Sequence, residues 1–198
     1  MMDGDTVQPR RLGLEGSQTR ARFIDAAEDV LRDEGLPGLT ARQVAAKAGL
    51  KTQLLYYYFR TMDDLILALV RRVNERRLER FEAALASPEP LRALWQINSD
   101  PSGAALASEL TSIATHREAI RAEIVRSAQS FRAMQIEAVS RLLAPQARGN
   151  GSAAGIVMIA VALARTIVAE SSLGLTEGHE EALAIIEQTL QRLSAPAP

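Results

Sequence analysis

Between Gly35 and Met62 the chain starts, stops and restarts a helical pattern within 28 residues, and this punctuation constrains the fold more than any other feature. "LPGLT" breaks the chain, Thr40 is a suitable N-cap for a short helix "ARQVAAKA", and Gly49 marks its end. Leu50 and Lys51 form the exit, and a second short helix is expected over 52–59. Two short helices joined by a tight glycine turn match a helix-turn-helix. Ala45 lets the second helix approach closely, Gly49 can take a positive φ, and Val44, Leu50, Leu55 and Phe59 fill the space beneath the pair. A plain helical hairpin would have the same pattern, so spacing alone leaves both readings open.

With Leu55 pointing inward, a step of about 100° per residue puts Gln53, Tyr56, Tyr57 and Arg60 on the opposite, outward face. All three tyrosines of the chain lie in this one stretch, 56–58. The window from Gly35 to Met62 holds four basic residues, Arg42, Lys47, Lys51 and Arg60, and no acid, in a chain whose net charge is only −1. Such a face can donate to phosphates and base edges without repelling a nucleic-acid backbone. The competing reading is an ordinary solvated face with tyrosines packed on neighbouring helices. For Tyr58, which turns partly inward, packing is the favoured reading.

The remaining sequence is helical in composition. Aromatics are 4% of 198 residues, and Ala and Leu are abundant, which favours an all-α fold. Helices are expected over 18–34, 62–86, 89–97, 102–115, 117–144, 152–173 and 178–194, about nine in all with the two short ones. Thr61 caps the long helix that begins at Met62, with Asp63 and Asp64 in its first turn. Pro145 and "RGNGS" form a loop. Residues 1–16 read as a flexible arm, 17–61 as a helix-turn-helix domain and 62–195 as a larger helical domain. The longest uncharged stretch, Gly149 to Ala164, has 16 residues, short of the roughly 20 that span a bilayer, so a soluble, cytoplasmic protein is expected. The absence of cysteine excludes a disulfide scaffold and a thiolate metal site. Two histidines, no glycine-rich phosphate loop and no paired-carboxylate arrangement on a mapped pocket give no catalytic constellation, so the expectation is a non-enzyme with no metal and no cofactor.

The stretch "LTARQVAAKAGLKTQLLYYYFRTMDDLILAL", Leu39 to Leu69, resembles the TetR family of transcriptional regulators. The resemblance implies an N-terminal three-helix DNA-binding domain followed by a helical ligand-binding and dimerisation domain. It also implies that Thr40 holds a phosphate, that Arg42 reaches a base or phosphate, that Thr52, Gln53 and Tyr56 read the major groove, and that Tyr57, Tyr58 and Arg60 grip phosphates. The sequence departs from the family's usual pattern at Tyr58, where histidine is common, at Lys51–Leu54, and at Met62, where a phosphate-binding lysine is frequent. These changes move a phosphate contact to Lys51 or to Arg10 and Arg11 of the arm.

The helix after 152 is apolar on two stripes, Ile156, Ala160, Leu163, Ile167 and Val157, Val161, Ala164, Val168, so it needs cover on two sides. With Ile186 and Leu190 of the last helix, Val157, Ala160, Val161, Ala164 and Val168 are the candidate homodimer interface, a four-helix arrangement about a two-fold axis. A monomer with a deeply buried helix is the competing reading. Trp95, Phe131, Met134 and Met158 are candidates to line an apolar cavity for a small-molecule effector, with His116, Ser127, Gln135 and Arg165 as polar handles. For each of these residues core packing or a local ion pair, such as Arg165 with Glu170, is the plainer alternative. The expected whole is a ligand-responsive repressor that binds a pseudo-palindromic double-stranded operator as a dimer. A helical protein-binding scaffold or a non-enzymatic small-molecule binding protein is the alternative.

Overall fold

Proline, glycine and hydroxyl caps cut the chain where the sequence places them. The computed structural model describes residues 9–143 and 152–194, and these form nine α-helices with no strand among the described residues. They are α1 (Pro9–Gly38), α2 (Ala41–Lys47), α3 (Thr52–Tyr58), α4 (Met62–Leu85), α5 (Pro90–Asn98), α6 (Pro101–Ala114), α7 (Glu118–Leu143), α8 (Ala153–Ser172) and α9 (His179–Ser194). The "RGNGS" loop lies almost wholly outside the described residues, as do the first eight residues of the expected arm and the side chains of Arg10 and Arg11. Residues 9–16, placed in the expected arm, are helical and continue α1.

The chain divides into two compact units between Arg72 and Val73, inside α4. In the first, α1 packs on α2 and α3, and α2 on α3. Phe23, Val30, Val44, Leu55 and Phe59 are each at most 2% exposed, and burying such side chains stabilises by about 1.5–3 kcal/mol apiece. The regular helix of α1 breaks at Gly35, whose φ is 66°. Thr61 and Asp64 form a reciprocal cap on α4: the Asp64 N–H donates to Thr61 Oγ1 at 3.1 Å and the Thr61 N–H to Asp64 Oδ2 at 3.0 Å.

In the second unit α8 packs on α5, α6 and α7, and α9 on α5. Its core holds Phe81, Leu94, Phe131, Ala138, Val157 and Val161. Arg92 of α5 holds Glu187 of α9 in a two-pronged ion pair, with Nη2 to Oε1 at 2.6 Å and Nη1 also bonded to the carboxylate. By length and composition α8 is long and apolar enough to cross a membrane, with a mean hydropathy of 1.9 and only 17% of its apolar window buried. The 16-residue uncharged stretch understates it, because the helix stays apolar on average beyond Arg165.

Candidate nucleic-acid interface

The turn between α2 and α3 is set by backbone bonds at Gly49. The Leu50 N–H donates to the Ala45 carbonyl at 2.9 Å and the Gly49 N–H to the Ala46 carbonyl at 3.0 Å, a glycine-closed helix end that requires the left-handed φ of 65° at Gly49. From α1, Arg22 Nη2 donates to the Ala48 carbonyl at 2.7 Å and so ties the end of α2 in place. Thr40 caps α2 by accepting from the Gln43 N–H at 3.2 Å, which leaves its hydroxyl proton available to an external acceptor. Leu55 and Phe59 are sealed beneath α3 at 0% and 2% exposure.

This anchoring turns the other side of α3 outward. Tyr57 is 79% exposed and Tyr56 50%, while Gln53, Lys51, Arg60, Arg42 and Thr40 are also exposed. Thr52 is half-buried. Gly49, Leu50, Lys51, Gln53, Leu54 and Tyr57 line a shallow concavity on this face. Arg60 stands beyond the end of α3, after the extended Phe59, so its exposure follows from the chain leaving the helix and not from helical projection. Tyr58 is half-buried, with its ring 6.3 Å from Phe23 and edge-on to Tyr57 at 5.1 Å, which favours the packing role for its ring. Lys47 donates to Asp33 of α1 at 2.6 Å, and that hydrogen bond holds its ammonium above the ordinary lysine value. The basic patch therefore presents three cations, Arg42, Lys51 and Arg60, where the sequence counts four.

A short second helix, locked by a glycine turn, carrying amide and phenol groups outward and flanked by cations without a carboxylate, has the geometry of a groove-reading helix. Residues 23–69 match the sequence family of bacterial regulatory proteins, tetR family. Residues 23–69 carry a TetR-family helix-turn-helix domain. Among similar proteins, the HTH-type transcriptional regulator in the dhlA 5′ region of Xanthobacter autotrophicus is 35% identical over 81 residues, 41% of this chain and 38% of that one. The chain spans about half the length of the curated relatives it matches. A TetR-family structure from Streptomyces coelicolor A3 is 28% identical, with a TM-score of 0.62 over 91% of this chain and 99% of the other. The multidrug binding protein EbrR, solved with imidazole, is 29% identical, with a TM-score of 0.57 over 100% and 99% of the two chains. The all-α TetR architecture with an N-terminal helix-turn-helix is thus shared along the whole chain, whereas the curated sequence matches cover only part of it.

In the larger unit the expected cavity residues differ in burial. Phe131 is buried at 5%, Met134 is half-buried against the core, and Met158 is 51% exposed. Gln135 is buried and donates from Nε2 to Asn98 Oδ1 at 3.2 Å, so its partner is a side chain of α5 and no ligand is needed to satisfy it. Trp95 and Ser127 are half-buried, and His116 is exposed in the turn after α6. Glu170 takes His179, Nε2 to Oε2 at 2.7 Å, which leaves Arg165 without the carboxylate the local pairing offered it. The interface candidates also divide. Val157, Val161 and Ala164 are buried at 4%, 6% and 0% within this subunit's own core. Ala160, Val168, Ile186 and Leu190 remain half-buried. The exposed large apolar residues of this unit are Leu85 of α4, Val125 of α7, Met158 and Ile159 of α8, Leu173 and Leu175 of the following turn, and Leu183 and Ile185 of α9.

Proposed function

We propose that this chain is a cytoplasmic, ligand-responsive transcriptional regulator, a repressor that binds a pseudo-palindromic double-stranded operator as a homodimer. The observation that carries the reading is the exposed face of α3. Gln53, Tyr56 and Tyr57 stand out of a helix whose opposite side is fully buried, beside Arg42, Lys51 and Arg60. Thr40, Arg42, Lys51, Tyr57, Tyr58 and Arg60 hold phosphates in this reading, while Thr52, Gln53 and Tyr56 meet base edges.

The dimer is supported by the uncovered apolar surface of α8 and its neighbours, Ile159, Leu173, Leu175 and Ile185, each 58–77% exposed. A second copy covers this surface and brings two α3 helices to half-sites about 34–36 Å apart, one turn of duplex. Ligand response is supported by the likeness to EbrR, described as multidrug binding. Because α4 runs from Met62 in the first unit to Leu85 in the second, a ligand that favours one setting of this helix acts on both units through a continuous backbone. A hundredfold release of DNA requires about 2.7 kcal/mol of preference for the released state.

The test is binding of the purified chain to the DNA upstream of its own gene, followed by anisotropy against salt and competitor DNA. A specific reader shows a steep negative salt slope and survives competitor. Equal affinity for unrelated duplexes would remove the reading and favour a protein-binding scaffold.

A further inference from the structure

The larger unit concentrates unneutralised cations at one place. Arg80 of α4, Arg132 of α7 and Arg165 of α8 each lie within electrostatic reach of Arg77 of α4. Arg80 is matched by Asp100 at 2.8 Å. For Arg77, Arg132 and Arg165, no carboxylate is within ion-pair distance among the described residues, and the segment 144–151 contains no Asp or Glu. The Arg77 guanidinium is half-buried, 3.7 Å above the centre of the Phe131 ring, which itself meets Phe81 edge-on at 5.2 Å. Arg132 Nη1 donates to Met158 Sδ at 3.0 Å, a weak acceptor for a guanidinium. Burial first, and then the crowding of Arg165, Arg132 and Arg80, push Arg77 down to about 10. Other arginines of this unit meet acids, as at Arg92 with Glu187 and Arg80 with Asp100. Here three guanidinium groups and an aromatic floor are left without an anion.

We propose that this cluster recognises a small amphipathic oxyanion, with Arg77, Arg132 and Arg165 holding its charged group and the exposed Met158 receiving its apolar body beside the Arg77–Phe131 stack. This rests on the ligand-responsive reading above and names the chemical class of the effector. Planar guanidinium forks match carboxylate, sulfonate or phosphate oxygens in pairs, and the Phe131 ring beneath Arg77 shields that guanidinium from water on one side. A second copy of the chain is the less suitable occupant. Arg165 lies six residues beyond Ile159, about 120° around α8, so the apolar surface offered to a partner and the cationic flank point in different directions.

The probe is 1-anilinonaphthalene-8-sulfonate, paired with the neutral N-phenyl-1-naphthylamine, which keeps the aromatic frame and lacks the sulfonate. The expected result is that the full chain binds the sulfonate about tenfold or more tightly than the neutral compound. Arg132→Gln with Arg165→Gln, both exposed positions, abolishes that preference and leaves neutral binding unchanged. Arg77→Met does the same, and the exposed pair keeps the test decisive if the Arg77 variant folds poorly. Equal binding of both compounds, or a preference that survives the double substitution, overturns the proposal. A double variant that sediments as a monomer also overturns it, because the cluster would then belong to the subunit contact. Operator affinity is measured on the same samples: the double variant should bind DNA normally, whereas failure of the unsubstituted chain to bind any operator counts against the regulator reading and leaves the anion result standing.

Discussion

Gly49 sits at a φ of 65° with only the Arg22 guanidinium near the position a Cβ would take, at 3.7 Å. Space is therefore not the obstacle to a side chain there; backbone conformation is. Gly49→Ala should lower unfolding stability by about 1–2 kcal/mol in urea titration, and an unchanged midpoint would show that the turn relaxes. Arg77 gives the opposite sign. Its guanidinium is held below its ordinary value, so the unfolded chain keeps the proton more firmly and the folded chain carries a penalty that is complete below about pH 10 and is relieved as pH rises through it. Arg77→Met removes that penalty and also a cation–π contact of about 0.5–2 kcal/mol, so a net gain on the order of 1 kcal/mol is expected at neutral pH, shrinking above pH 10. A loss of stability would mean the ring contact dominates. The outward α3 residues were legible in the sequence because Leu55 and Phe59 fix one face of a short helix. Arg77 was not, since it meets Phe131 across 54 positions of chain and no local pattern links them.

At the scale of elements, helix ends were readable because their signals are local. Thr40, Thr61, Pro90 and Pro101 each act within one turn, and the observed ends fall within a residue or two of the punctuation. Thr61→Ala removes the reciprocal cap with Asp64 and should cost about 1 kcal/mol, seen as a lower melting temperature with faster amide exchange in the first turn of α4. The inward side of α8 was not readable. A helix apolar around most of its circumference carries no periodic mark of which stripe its own core takes, and packing against α5, α6 and α7 decides in favour of Val157, Val161 and Ala164. The pairing of Lys47 with Asp33 was hidden for the same reason, the acid lying on a different helix. The Arg92–Glu187 pair bridges α5 and α9 and holds Glu187 below the usual carboxylate range. Its contribution is present above the ordinary carboxylate pKa and fades as pH falls through the lowered value, so α9 amides should lose protection on acidification and in Arg92→Gln. Unaltered exchange in that variant would assign α9 docking to its apolar contacts alone.

For the whole molecule, two claims meet: a second copy covers the exposed apolar surface that includes α8, and the pair of α3 helices reads DNA. Ile159 is 68% exposed, so Ile159→Arg should leave the subunit fold intact while shifting sedimentation from dimer to monomer, and a dimer of unchanged stability would move the interface elsewhere. The central claim concerns the face that carries Gln53 and Tyr56. The most direct measurement is the affinity of Gln53→Ala and Tyr56→Ala for an operator and for its single-base variants, alongside Arg60→Ala. Base-reading residues should lose about 1–3 kcal/mol on the operator and stop discriminating at particular base pairs, whereas Arg60→Ala should weaken all sequences alike and flatten the salt slope by about one. Substitutions at Gln53 and Tyr56 that leave both affinity and base discrimination unchanged would contradict the account.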